Sequence, residues 1–280
     1  MPRLRFTILG CGASPGVPRI TGDWGACDPR EPKNRRTRAA ALFELFGDAP
    51  MPTRLVVDTG PDLRTQLLSA GVDELHGVVY THAHADHVHG IDDLRAYWIT
   101  GGERRIVTVY SDDATQRRLD DGFGYCFRAP PGSAYPPFLN RVRIVAGTPF
   151  RVTGPGGTIT VLPFDQAHGD IRSLGIRIGP VAYSCDFNDL PAESLPAVSG
   201  ADLWVLDALR RAPHPSHCSL SEAIAWVDRI KPQHAVFTHM TNELDYGALH
   251  RDLPGNIEPA YDGLRFEYHV AEPQEPVASL

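Results

Sequence analysis

The sequence predicts an α/β protein in which sheets are covered by helices and a polar site gathers at the strand ends. Three observations carry this. Short apolar runs that read as strands recur from residue 4 to residue 238 and alternate with stretches of helical spacing. The chain has 280 residues, 42% of them hydrophobic, which is enough to bury a sizeable core. The densest groups of ionisable side chains fall just after strands, where α/β folds carry their sites.

Taken in order, residues 4–9 form an apolar run closed by Gly10-Cys11-Gly12, a first strand ending in a glycine loop. Residues 14–38 are rich in Gly, Pro and charge and read as a long ordered loop. Its Asn34-Arg35-Arg36-Thr37-Arg38 cluster reads as a solvated turn. The other reading is a guanidinium site for a substrate phosphate, with Arg35 and Arg38 as the candidates. Residues 39–46 and 54–57 are strands, followed by the turn Asp58-Thr59-Gly60-Pro61-Asp62. Leu63, Leu67 and Leu68 have helical spacing, and Gly71 suits the helix end. Residues 77–80 form a buried strand pointing into a histidine cluster, and a helix is expected to start near Asp86. A strand over 106–110 and a helix over 112–119 follow. Residues 120–140 carry Pro, Gly and aromatics without a period, long for a passive connector, and read as a lid or rim loop or as a solvated insertion. The second half offers strands over 158–162, 174–178, 181–184, 203–206 and 236–238. Its strongest helix spans 219–230, with Ser219 or Ser221 as cap and Ile224, Val227 and Ile230 as the apolar stripe. Residues 1–271 read as one domain and 272–280 as a flexible tail.

Composition excludes several classes. No run reaches the ~18 apolar residues of a spanning helix. The opening Met1-Pro2-Arg3-Leu4-Arg5-Phe6 enters a strand without an apolar leader, so neither membrane insertion nor export is expected. The five cysteines, Cys11, Cys27, Cys126, Cys185 and Cys218, are odd in number and scattered, which argues against a disulfide framework and fits a reducing cytoplasm. Net charge is −7 and Lys33 and Lys231 are the only lysines. Bulk nucleic-acid binding is therefore disfavoured, whereas an arginine site for one phosphate is not.

The chemistry concentrates in Thr81-His82-Ala83-His84-Ala85-Asp86-His87. Neutral imidazole and carboxylate are the ligands that Zn²⁺ and similar ions take. Residues two apart in an extended loop point the same way, so His82 and His84 can share one ion. Asp86 and His87 then turn with the chain and can face a second.

This His-x-His-x-Asp-His motif after a short apolar strand resembles the signature of the metallo-β-lactamase superfamily, and the resemblance runs over residues 4–269. It implies an αββα four-layer sandwich, two packed mixed β-sheets flanked by helices, in two pseudo-equivalent halves. It also implies that His168, in Ala167-His168-Gly169, completes the first metal site with His82 and His84. His239, in Phe237-Thr238-His239, would complete the second with Asp86 and His87, and Asp186 would bridge ions about 3.5–4 Å apart. Asp58 matches the aspartate that orients a ligand histidine. The cofactors implied are two divalent ions, Zn²⁺ or Mn²⁺.

Three details narrow the reaction. His84 stands where the di-iron oxidoreductase relatives have Glu, which favours hydrolysis. His217, in His217-Cys218-Ser219-Leu220, resembles the His-x-Ser/Thr element of the phosphodiesterase branch, which includes tRNA 3′-processing endonucleases and phosphoribosyl cyclic phosphate phosphodiesterases. There the histidine stabilises the phosphoryl oxygen or protonates the leaving group, and His214, between two prolines, is a poorer candidate. The stretch Gly10-Cys11-Gly12-Ala13-Ser14-Pro15-Gly16-Val17-Pro18 resembles the opening of the cyclic phosphate phosphodiesterases. Some of those hold a further structural zinc on clustered cysteines and a histidine. Here only Cys27 remains of that cluster and Asn242 replaces the histidine, so that third site is expected to be absent. The tRNA enzymes carry a long basic arm, whereas residues 120–140 hold one basic residue, Arg128.

The expectation is a hydrolase of a small phosphodiester, cyclic or nucleotide-like, working by metal-bridging hydroxide attack. The catalytic candidates are His217, Asp86 and Asp186. A carboxylic ester, thioester or lactam hydrolase on the same metals, and a non-catalytic metal-bearing carrier, are the alternatives. The resemblance further implies a homodimer as the candidate assembly.

Overall fold

Hydrophobic runs buried on both faces decide the architecture. In the computed structural model, which describes residues 1–100 and 106–270, fourteen strands are found. They are β1 (Arg3–Gly10), β2 (Ala40–Phe46), β3 (Thr53–Val57), β4 (Gly77–Val79), β5 (Val107–Ser111), β6 (Leu139–Arg143) and β7 (Phe150–Gly154). The remainder are β8 (Gly157–His168), β9 (Ile171–Ile178), β10 (Val181–Ser184), β11 (Leu203–Asp207), β12 (His234–Thr238), β13 (Ile257–Pro259) and β14 (Arg265–His269). The helices are α1 (Leu63–Ala70), α2 (Ala85–Val88), α3 (Arg95–Thr100), α4 (Asp113–Phe123), α5 (Leu195–Val198), α6 (Leu220–Ile230) and α7 (Tyr246–Asp252).

Two seven-stranded sheets form, in the orders β14-β1-β2-β3-β4-β5-β6 and β13-β12-β11-β10-β9-β8-β7. Each is antiparallel at one side and parallel at the other. In the first, β14 through β3 pair antiparallel and β3 through β6 parallel. In the second, β7 through β10 pair antiparallel and β10 through β13 parallel.

Strand alternation explains why the sheets are covered twice. Phe6, Ile8, Phe43, Leu55 and Val57 point into the core between the sheets, against Phe164, Ile176, Tyr183 and Val205. Their neighbours Leu9, Leu42, Val56 and Val78 point outward to Leu63 and Leu67 of α1 and Leu119 of α4. Such strands must read as nearly continuous apolar runs. The outer face of the second sheet is closed by α6. Its N-cap Ser219 and Glu222 form a reciprocal capping box, and its Trp226 rests edge-on against Trp204 of β11. The layers are helix, sheet, sheet, helix, the predicted sandwich.

The helix expected near Asp86 does start there, at Ala85, as the single turn α2, so that expectation stands. Other local expectations need correction. The stretch 34–38 is not a solvated turn, because Asn34 and Arg36 are buried. Arg36 donates to the carbonyls of Thr241 and Leu244 at 3.0 and 2.7 Å, tying the long N-terminal loop to the loop after β12. Residues 120–140 are anchored at both ends, where α4 runs on to Phe123, Cys126 and Phe138 are buried and Phe138 N donates to Cys126 O, while 128–136 between them are exposed. All five cysteines are free and buried. No helix among the described residues is long and apolar enough to cross a membrane. The tail at 272–280 lies outside the described residues.

Candidate metal centre

Parallel pairing brings strand ends together, and the candidate ligands sit on or soon after them, Asp86 and His87 on the single turn α2. Val57 of β3 pairs with Val79 of β4, so Asp58 and Thr81 emerge side by side. Ser184 of β10 pairs with Leu206 of β11, and Asp207 with Thr238 of β12, which places Asp186, Asp207 and His239 in adjacent loops. His168 is the last residue of β8. Asp58 and His239 both hold left-handed backbone, at φ 63° and 57°, a conformation that non-glycine residues rarely take and that clusters at functional sites. Gly60 is required sterically, because a Cβ there would overlap the carbonyl of Asp86.

The seven predicted ligands converge in two groups. His82, His84, His168 and Asp186 form one, Asp86, His87 and His239 the other, with ligand atoms in each group within 4.8 Å of one another. In the first, His82 Nε2 lies 2.9 Å from His84 Nδ1, and His168 Nε2 lies 3.3 Å from the same atom. Asp186 Oδ2 is 3.7 Å from both His82 Nε2 and His168 Nε2. In the second, Asp186 Oδ1 is 3.4 Å from both His87 Nε2 and His239 Nε2. Asp86 Oδ2 is 3.4 Å from His87 Nε2 and 3.7 Å from His239 Nε2. Asp186 thus offers one oxygen to each group.

Supporting hydrogen bonds fix which ring nitrogens face inward. His168 Nδ1 lies 2.7 Å from the carbonyl oxygen of Ser216 and donates to it, leaving Nε2 with its lone pair. His87 Nδ1 does the same with Asp58 Oδ2 at 2.7 Å. Asp58, fully buried, also accepts from the Thr81 amide and hydroxyl at 2.8 and 2.7 Å, and Thr81 Oγ1 lies 3.0 Å from His82 Nδ1. One aspartate therefore steadies a ligand in each group.

A divalent cation fits these donors. His87 Nε2, His239 Nε2 and Asp186 Oδ1 are buried and face one another with no hydrogen-bond partner among the described residues. Such atoms are costly, about 1–3 kcal/mol each, unless something else satisfies them. The electrostatics agree. Burial holds His82 well below the usual imidazole range and lowers His168 to about 4, so both rings are neutral donors at pH 7. Burial opposes ionisation of Asp186, yet the imidazoles of His239 and His87 outweigh it and hold the carboxyl well below its usual range. Burial likewise opposes protonation of His87, but the carboxylates of Asp186, Asp58 and Asp86 raise it well above normal. The cluster demands positive charge.

His217 stands beside both groups. Its ring stacks on His239 at 4.8 Å and 11° and meets His168 edge-on at 4.6 Å. Its Nδ1 is 2.7 Å from Oδ2 of Asp207, a fully buried residue that the sequence reading missed. The signal was faint: one carboxylate closing the apolar run Leu203-Trp204-Val205-Leu206, significant only once the register sets it beside Thr238. Asp207 Oδ1 also lies 3.9 Å from His239 Nδ1. His214 packs on His217 at 5.1 Å, outside both groups.

The arginines divide. Arg38 pairs with Asp62 at 3.0 Å, next to Gly60 and the Ser14 loop. Arg35 stacks over Trp24 at 5.2 Å and lines a separate cavity of about 390 Å³ with Lys33, Gln66 and Arg265, so the structure does not bring it to the histidines. At the expected third-zinc position, Asn242 Nδ2 donates to Asp23 Oδ2 at 3.0 Å, and the Cys27 thiol contacts the Leu244 carbonyl at 3.5 Å.

Comparison with known proteins places this geometry in a family. The beta-lactamase superfamily domain matches residues 53–240. The chain belongs to the metallo-β-lactamase superfamily. It is 33% identical to a solved diphosphatase of the PhnP family, covering 96% of this chain and 98% of that one with a TM-score of 0.83. Zn²⁺-bound PqqB from Methylobacterium extorquens, 19% identical over 94% of this chain and 99% of that one, shares the fold with a TM-score of 0.70. An octanoyltransferase of Porphyromonas gingivalis (strain ATCC BAA-308 / W83) is 34% identical over 266 residues, 93% of this chain and 51% of the relative. The chain spans about half the length of that curated relative. The family and the two His/Asp groups together support binding of divalent metal.

Proposed function

We propose that the protein is a two-metal phosphodiesterase acting on a small phosphodiester, cyclic or nucleotide-like. The observation that carries this is His217, held by Asp207 at 2.7 Å and seated between a ligand of each metal group. The 33% identity over nearly the full length to a protein called a diphosphatase supports phosphoryl chemistry. His82, His84 and His168 would hold one ion, Asp86, His87 and His239 the other, and Asp186 would join them. The N/O donor set suits Zn²⁺ or Mn²⁺. Bound ions would supply Lewis acidity toward the phosphoryl oxygens and lower the pKa of coordinated water.

The chain's own residues do the rest. Phosphoryl transfer builds charge on the leaving oxygen, which needs a proton or a hydrogen bond. His217 provides it from Nε2, the ring nitrogen that Asp207 leaves free. Burial lowers the His217 imidazole, so a proton carried on Nε2 is readily released to a leaving oxygen. Asp207 is a positioning residue: it accepts from His217 Nδ1 and so fixes the rotation of the ring with Nε2 turned away from it. Arg38, whose guanidinium pairs with Asp62 near Gly60, is the proposed contact for a substrate phosphate.

The purified protein loaded with Mn²⁺ or Zn²⁺ should hydrolyse bis(p-nitrophenyl) phosphate in preference to carboxylic ester, thioester and lactam substrates. His217→Ala should lower kcat by about 10²–10⁴-fold, the usual worth of a general acid, with metal content unchanged. Full activity in that variant would remove His217 from the mechanism. A preference for thioester or lactam would replace the phosphodiesterase reading.

A further inference from the structure

The Gly10-to-Pro18 segment has no part in the chemistry above, yet it reaches the metal centre. Gly16 N donates to Ala13 O at 2.8 Å, closing a turn that presents Ser14 and Pro15 at its tip. Ser14 is exposed, and its hydroxyl donates to Asp86 Oδ2 at 2.7 Å. That oxygen is the one facing His87 Nε2 at 3.4 Å and His239 Nε2 at 3.7 Å. The same segment is tied to the residue after His239, because Met240 N donates to Cys11 O at 2.9 Å and Ala13 N to Met240 O at 3.2 Å. From behind, Asp262 anchors it, accepting from Cys11 N at 3.1 Å and from the Thr37 amide and hydroxyl at 2.8 and 2.6 Å.

We infer that Ser14 is a positioning residue for the second metal group, fixing the Asp86 carboxylate so that one defined oxygen meets the ion. Asp86 needs such a restraint more than its counterpart. The Asp186 side chain is 2% exposed and enclosed by the histidines of both groups, whereas that of Asp86 is 11% exposed. Its backbone is held by the close approach of Gly60, but among the described residues Ser14 is the only side-chain donor outside the ligand histidines that touches its carboxylate. Partners of metal ligands contribute about 10–100-fold to affinity or activity. The exposure of Ser14 means that its replacement leaves the core intact.

The inference rests on the two-metal reading, and one titration separates the two. Metal-free wild-type protein, Ser14→Ala and Ser14→Thr are titrated with Zn²⁺ by calorimetry, and Co²⁺-loaded samples are compared by visible absorption. Wild type should take up two ions. Ser14→Ala should bind one of them about tenfold or more weakly with a changed Co²⁺ spectrum for that ion only, and Ser14→Thr, which keeps the hydroxyl, should restore both. Failure of wild-type protein to bind two ions would overturn the two-metal reading and this inference with it. Two ions bound by Ser14→Ala with wild-type affinity would overturn the inference alone, as would a Ser14→Thr variant no better than Ser14→Ala.

Discussion

A single buried carboxylate, Asp58, illustrates how the residue scale governs this site. It accepts from His87 Nδ1, from the Thr81 amide and from the Thr81 hydroxyl, so it sets one ligand's tautomer and braces the loop that carries two others. Asp58→Asn keeps the volume but can present an N–H where an acceptor is required. Metal affinity should fall about 10–100-fold, measurable by competition with a chromogenic chelator, and an unchanged affinity would show that the loop is held by packing alone. The four ligands from His82 to His87 were legible from spacing, because their geometry is local. His168, Asp186 and His239 follow strands that converge only in three dimensions, and they emerged through the family resemblance. Asp207 stayed hidden for the same reason without that help. Ser14 lay in a recognised motif, but nothing in the sequence joins it to a carboxylate 72 residues away.

At the scale of elements, Asp245 ties the N-terminal loop to the start of α7. Asp245 caps α7 through Ala248 N at 2.8 Å and accepts from Asp28 N at 3.1 Å and from the Asn34 amide at 2.6 Å. Burial opposes its charge, but those donors outweigh it and lower its carboxyl below the usual range. The sign follows from linkage: a depressed carboxyl stabilises the fold above the unfolded value of about 3.9, and this contribution is lost as pH falls through the folded value. Asp245→Ala should therefore cost about 1–2 kcal/mol in urea unfolding at pH 7, and less as pH drops below about 4. An equal loss at both pH values would deny the ionic part of the cap. Central strands were readable because both their faces are buried. Sheet-edge strands were not: β6 has one buried residue of five, β7 one of five, and β14 none, so their sequences look like loops. The length of β8 was missed at its far end: the strand read over 158–162 runs on to His168, through Pro163, Asp165 and Gln166, residue types that read as a strand end.

The whole molecule works as a frame that aligns strand ends. Two sheets with matching antiparallel-to-parallel order stand face to face, and each delivers its share of ligands to one edge of the sandwich. The first supplies Asp58 and the His82 loop, the second His168, Asp186, Asp207 and His239. Neither half holds a complete set, so the centre depends on the packing of one sheet against the other. The most direct test is elemental analysis of purified, metal-reconstituted protein beside its Asp186→Asn variant. Loss of the charge and of one of the two shared oxygens should reduce about two divalent ions per chain to one or fewer. Absence of stoichiometric metal in the wild-type protein, or an undiminished pair of ions in the variant, would contradict the account.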